Sequence, residues 1–386
     1  MNQKEQARER PESKADNPAT TLREMMKPTT LHTGLLCLLS ASLISGCGGT
    51  RENDPIAVTE ESLDTALTNA VDERIIVAAG NFASAADLLS DDIDTLCSNP
   101  DARALRNAQD QWRDTYDSWY SLLPYNFGPL TDDLVFPPYT FIDSLRLRGT
   151  EYSATVRSTI ADWVAGEQTL NDDFFERQSF QFVGLLALEV ALFEDTDGTS
   201  ATSAELDDEP RKCQVLQGLA SRLQDSADHV YDGWTDDYAG TGTPFRTLFL
   251  NAELDDGTEP LSKLLTTVQE NLDYLTNRSV ITTATPVVDQ TWEAALVLVQ
   301  EVEALLEGTT DAIPSGMVSF FSLMAEAGYE SDVEAVRSNI AMAYDAIDDQ
   351  DVSAFNAAIA ALDGNFKREI PDGLAVDLGI NFTDGD

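Results

Sequence analysis

Histidine is the scarcest functional side chain here: among 386 residues only His32 and His229 carry an imidazole. A protein-held catalytic zinc usually draws on histidines, so an ordinary zinc hydrolase is not expected. Lysine is nearly as rare beyond residue 46, where only Lys212, Lys263 and Lys367 remain. Against 24 Lys plus Arg stand 68 Asp plus Glu, a net charge of −44. Phosphate backbones are bound through Lys and Arg, which excludes nucleic acid as a partner, and anionic lipid headgroups are repelled for the same reason. Carboxylates scattered without basic partners read as a soluble or salt-adapted surface in preference to a cation-collecting one. The β-branched alternation of strands is nearly absent. GxSxG, Walker, Rossmann and CxxCH signatures are also missing. The apolar run at residues 31–44 is too short and too soon interrupted for a stable membrane span.

That run reads instead as the core of an export signal. Lys27 precedes it and Leu43-Ile44-Ser45-Gly46-Cys47 closes it, a lipobox in which small residues admit the signal peptidase and the Cys47 thiol takes a diacylglycerol. The pattern resembles bacterial lipoproteins in general and implies a lipidated mature N-terminus at Cys47; the alternative is an uncleaved amphipathic anchor. Met25 or Met26 would give a more ordinary start than Met1. Gly48 follows the cysteine where an Asp would retain the protein elsewhere, which in a Gram-negative cell implies the outer membrane, facing the periplasm. Buried acyl methylenes at about 0.8 kcal/mol each make such an anchor long-lived. Loss of residues 1–46, which carry a net +1, leaves about −45. It also removes Cys37, so Cys97 and Cys213 remain as an even pair in an oxidising setting. A disulfide between them is expected, with two buried free thiols as the alternative.

Residues 47–58 form a polar tether, and helical periodicity runs almost unbroken after it. Leu63, Leu67, Ala70, Val71, Ile75, Ile76 and Ala79 mark one apolar stripe, and Leu105, Ala108, Trp112, Tyr116, Trp119 and Tyr120 mark the next, which Pro124 ends. Residues 124–150 have no clean period and read as a long ordered loop of the kind that lines sites. Helices are predicted over 153–165 and 174–193, and Pro210 opens another after a loop at 195–209. A Gly/Thr break at 238–244 sets the expected domain boundary, dividing a bundle at 59–238 from one at 239–386. In the second, helices are predicted over 261–275, 287–306, 318–327, 333–347 and 355–370. The fold class is all-α, two antiparallel helix bundles packed together.

The apolar helix around Gly184 carries one acid, Glu189, among Leu, Val, Ala and Phe. It resembles the GxHxxE helix of the imelysin family: Gly184, Ala187, Glu189, Leu192 and Phe193 match, and Leu186 stands at the histidine position. Trp112, Trp119 and Phe127-Gly128-Pro129 are similar to the family's Trp helix and its FGP turn. Arg211-Lys212-Cys213, with Leu219 and Leu223, resembles the helix after the motif. The ending from Leu378-Gly379 to Asp384-Gly385-Asp386 is similar to the family's closing pattern. The resemblance implies an exported two-bundle helical protein with a site between its halves, formed around Gly184, Leu186, Glu189, Phe127, Gly128 and Pro129. Members of the family are linked to iron acquisition, and some are classed as metallopeptidases.

On its own chemistry, Glu189 reads either as a metal ligand or general base, or as a buried acid paired with an arginine such as Arg211 or hydrogen-bonded to loop amides. His229, with Asp225 and Asp232 near it, reads as a solvated helix residue. Asp384 and Asp386 could ligate a cation or simply be solvated. A calcium loop at Asp195-Thr196-Asp197-Gly198 fails on spacing, because the twelfth position is Leu206. The expected function is a non-catalytic binding lipoprotein, since Leu186 removes the motif's imidazole. A link to iron acquisition, with iron-uptake components as partners and iron or another cation as the metal concerned, is what the resemblance implies, and zinc is not expected. A diverged metallopeptidase using Glu189 is the second reading, and a structural or partner-docking module the third.

Overall fold

The computed structural model describes residues 55–144, 153–254, 256–277, 280–282, 285–308 and 318–378. Cys47, the expected export signal and the Asp384/Asp386 pair lie outside them. The described residues belong to one compact unit. They are helical throughout, with a single isolated bridge, Glu194 to Ser200, as their only β pairing.

Helix α1, Glu60–Ala70, starts at a capping box in which Thr59 and Ser62 satisfy each other's amides. It passes through one π-helical stretch, Val71–Ile75, into α2, Ile76–Ser98. Asp101 Oδ1 accepts from the amides of Arg103 and Ala104 and starts α3, Ala102–Leu122. The stretch read as one loop contains two 3₁₀ turns and α4, Pro138–Ile142. Next come α5, Ser153–Ala165, and α6, Asp172–Glu176, then α7, Gly184–Phe193, and α8, Ser203–Asp208. Pro210 occupies the first turn of α9, Pro210–Thr235, where its missing N–H has no intrahelical partner to lose. The short α10, Phe245–Leu250, follows the Gly/Thr break. Then come α11, Pro260–Asn277, α12, Thr291–Glu307, α13, Phe320–Glu326, α14, Glu330–Asp348, α15, Val352–Lys367, and α16, Glu369–Leu374.

Helix α2 lies between α3 and α9, and α7 packs on α9, α5 and α3. In the other half α15 pairs with α14 and α11, and α12 with α14. Helix α12 also packs on α3, so the two groups share one continuous apolar core. Packing crosses residue 239 both ways: α10 folds back on α9, and α1 touches α13.

Three helix boundaries differ from the periodicity. The helix expected over 174–193 is broken into α6, a 3₁₀ turn and α7, because Gly184 sits at φ +76°. That conformation is open to glycine and strained for L side chains. The helix expected from residue 287 begins at Thr291, leaving 287–290 as loop. The last predicted helix is interrupted at Arg368 and resumes as α16. Cys97, in the final turn of α2, is disulfide-bonded to Cys213 in the first turn of α9, with Cα atoms 5.5 Å apart. The expected bridge is therefore present.

Candidate functional site

Gly184 lets α7 start where it does. A Cβ at this position would stand 2.4 Å from the Phe141 carbonyl oxygen and 2.5 Å from that of Ile142. The end of α4 is thus pressed against the start of α7. Trp112 Nε1 of α3 fixes the same turn by donating to the Leu185 carbonyl at 3.1 Å. One turn on, Glu189 is completely buried. Its Oε1 accepts from the backbone amides of Val287 and Val288, each at 2.9 Å. These amides belong to the loop that precedes α12, so the acid of one helix group is held by the backbone of the other. Burying a carboxylate costs several kcal/mol unless it is bonded, and charge-assisted bonds from two amides offset that cost.

Loop 285–290 is held a second time from α3. Gln290 Nε2 donates to both oxygens of Asp117, at 3.1 Å each. Thr285 and Thr291 bond through their hydroxyls at 2.7 Å, and the Gln290 amide donates to Thr285 Oγ1. Burial pushes the Asp117 carboxyl up to about 6, against the lowering bond from Gln290, with Asp114 and Glu293 adding repulsion. The sign follows from linkage: an acid whose folded value exceeds its unfolded one destabilises the folded state as pH rises. The stability loss should develop between about pH 4 and 6 and be complete above that. Asp117→Asn, which keeps an acceptor for Gln290, is expected to stabilise the protein at pH 7.5 by about 1–2 kcal/mol after solvent screening, and to flatten stability between pH 4 and 6. Urea denaturation across that range checks this.

Between these two anchors lies an aromatic stack on α3. Trp112 and Tyr116 stack at 5.2 Å, Tyr116 and Tyr120 follow at 4.9 Å, and the two tyrosine hydroxyls are hydrogen-bonded at 3.0 Å. Burial, followed by Tyr120, Asp143 and other neighbours including Glu189, holds the Tyr116 phenol well above its ordinary range. Trp119 Nε1 donates to Asp143 at the end of α4. Leu186, one face-mate before Glu189, is partly buried against the core.

The FGP turn has other neighbours. Phe127 sits edge-on to Trp234 at 5.5 Å and packs on Phe245 and Phe249. Gly128, at φ +58°, leaves room for the Phe245 ring, which a Cβ there would meet at 2.3 Å. Pro129 fills the space over Gly233. This turn therefore pins α10 to the end of α9. Arg211 is engaged away from Glu189, donating to the carbonyls of Trp163, Val164 and Gln168. Lys212 is buried, and its ammonium bonds the Glu194 carbonyl and the Glu205 carboxylate. His229 is half exposed and bonds Asp132 at 2.8 Å. That bond raises its imidazole above the ordinary value, against partial burial and Arg222.

Sequence reasoning missed Asp117, Asp143, Val287, Val288 and Gln290. It also missed a triad where the helix groups meet: the partly buried Arg74 in the π-helical stretch pairs with the buried Glu301 of α12, which accepts from Tyr125 Oη at 2.6 Å. Thr285-Pro286, which opens the loop, is the local feature that could have marked it, because the residue before a proline is pushed away from the helical region.

The donor set does not fit a zinc ion. Leu186 has no ligand atom, Oε1 of Glu189 is taken by amides, and no cluster of three His, Cys, Asp or Glu placed to hold a metal occurs among the described residues.

Bundle architecture and motif helix define an imelysin-type protein. The model of that family (peptidase M75: Imelysin) matches residues 76–377, and the chain belongs to the imelysin family. A crystal structure of an imelysin-like protein from Psychrobacter arcticum 273-4 superposes with a TM-score of 0.62 at 15% identity, covering 84% of this chain and 100% of that one. An iron-regulated protein A precursor from Parabacteroides distasonis ATCC 8503 gives 0.60 at 12% identity, covering 83% and 96%. No curated protein matches the chain. At these identities the likeness shows the fold. No described helix is long and apolar enough to cross a membrane.

Proposed function

We propose that this imelysin-family chain is a non-catalytic binding lipoprotein, anchored through Cys47 to the periplasmic face of an outer membrane and serving iron acquisition. The observation that carries the non-catalytic part is the engagement of Glu189 by the amides of Val287 and Val288, beside Leu186 at the motif's histidine position. Glu189 then acts as an inter-bundle latch, not as ligand or base. The link to iron is supported by the name of the Parabacteroides protein, an iron-regulated precursor. The halves at 59–238 and 239–386 would be the two bodies that the latch joins.

Metal analysis and peptidase assay of protein purified without a histidine tag test this reading. The expected result is no stoichiometric zinc and no proteolysis above background. Chelator-sensitive proteolysis lost in Glu189→Gln would overturn it in favour of a diverged metallopeptidase. For the anchor, Cys47→Ser is expected to release the protein from membranes.

A further inference from the structure

Nine large apolar side chains stand exposed among the described residues, and three are consecutive: Leu134 at 96%, Val135 at 73% and Phe136 at 58%. Exposed apolar residues scattered singly need no explanation, but a contiguous apolar tip does. This tip is also held in shape. Asp133 Oδ1 accepts from the amides of Val135 and Phe136, at 2.7 and 2.9 Å. Asp132 is tied to His229 of α9, and Pro137 and Pro138 close the loop into α4. A rigid tip loses little freedom on binding, which is how a presented anchor gains affinity.

Beside the tip runs an open groove of about 500 Å³. Phe136, Pro138 and Phe141 form one wall, and Arg222, Ser226 and His229 the other. The Arg222 guanidinium lies over the Phe141 ring at 5.2 Å, so its charge faces an aromatic wall. Asp133 and Asp225 border the groove as exposed carboxylates, while the Asp132 carboxylate is nearly buried and taken up by His229. Asp228, one turn from Asp225 on α9, has its carboxyl pushed up by partial burial and by repulsion from Asp232, Asp87 and Asp225. Asp225 and Asp228 thus form a patch of like charge on α9 that reaches the groove through Asp225.

We infer that the Leu134-Val135-Phe136 tip and the adjoining groove dock a polypeptide segment that carries apolar side chains flanked by Lys or Arg. The knob needs a socket and the groove takes a ridge, a two-sided fit that a peptide or helix face offers. The carboxylate rim selects for basic flanks and against an anionic membrane surface. The inference stands apart from the reading of Glu189, since none of its residues belongs to that latch.

The test uses the intact chain and three probes: a short peptide alternating leucine and arginine, its leucine–glutamate counterpart, and vesicles of phosphatidylethanolamine with phosphatidylglycerol. The leucine–arginine peptide is expected to bind, with affinity reduced about tenfold or more by Leu134→Ser combined with Phe136→Ser. Asp225→Asn, at an exposed helix position, should weaken the same peptide and keeps the test available if the loop variant folds poorly. Failure of that peptide to bind would overturn the inference. Binding that survives both changes would reduce it to general charge attraction and also overturn it. Tip-dependent binding to the vesicles would replace it with a membrane contact.

Discussion

Glu189→Ala is expected to destabilise the protein by about 2–4 kcal/mol in urea denaturation, the cost of leaving two amides without their acceptor at about 1–3 kcal/mol each, partly relieved by water. The Val287 and Val288 amides should lose hydrogen-exchange protection in that variant while those of α2 and α9 keep theirs. Glu189→Gln retains a carbonyl acceptor at the same reach and should cost markedly less. The contrast separates a latch from a metal ligand, because a ligand's loss would show in metal content and leave the amides of loop 285–290 protected. An alanine variant within about 0.5 kcal/mol of wild type would remove the latch.

Breaking the Cys97–Cys213 bridge should have the largest effect. It closes a loop of 116 residues in sequence separation, and the chain-entropy model assigns such a loop about 4–5 kcal/mol. That loop contains α3 to α8, including both the Trp112–Tyr116–Tyr120 stack and Glu189. Cys97→Ala with Cys213→Ala, or reduction before unfolding, should lower the denaturation midpoint accordingly. Free-thiol labelling of both cysteines in unfolded, unreduced protein would show that the bridge does not form.

Much of this architecture was legible because it depends on local pattern. The apolar stripes of α2, α3 and α9 repeat at helical spacing, Pro210 marks its own helix start, and two leftover cysteines made a pair. What stayed hidden depends on contacts distant in sequence. Glu189 was visible as a lone acid in an apolar helix, and loop amides were among its possible partners. Nothing local pointed to Val287 and Val288, whose N–H groups carry no side-chain signature. Val287 looked like the first residue of α12 because Val, Trp and Leu recur there at helical spacing, although the turn at Thr285-Pro286 delays the helix to Thr291. His229 was read correctly as exposed, but Asp132, its partner from the loop after the FGP turn, lies 97 residues away. Arg74, Tyr125 and Glu301 come from three elements and become a triad only when the two groups dock.

The latch would also bear on the order of assembly. Val287 and Val288 lie 98 and 99 residues downstream of Glu189, so a chain emerging from its N-terminus presents the acid long before it presents these amides. In that interval α7 can associate with α3 and α9 only by keeping its carboxylate near water, since burial without those bonds is costly. The first bundle would therefore wait in a loosened state and close when loop 285–290 arrives. A half-protein so arranged would keep that carboxyl hydrated or protonated, and arrival of the second half would let it be buried as a bonded carboxylate.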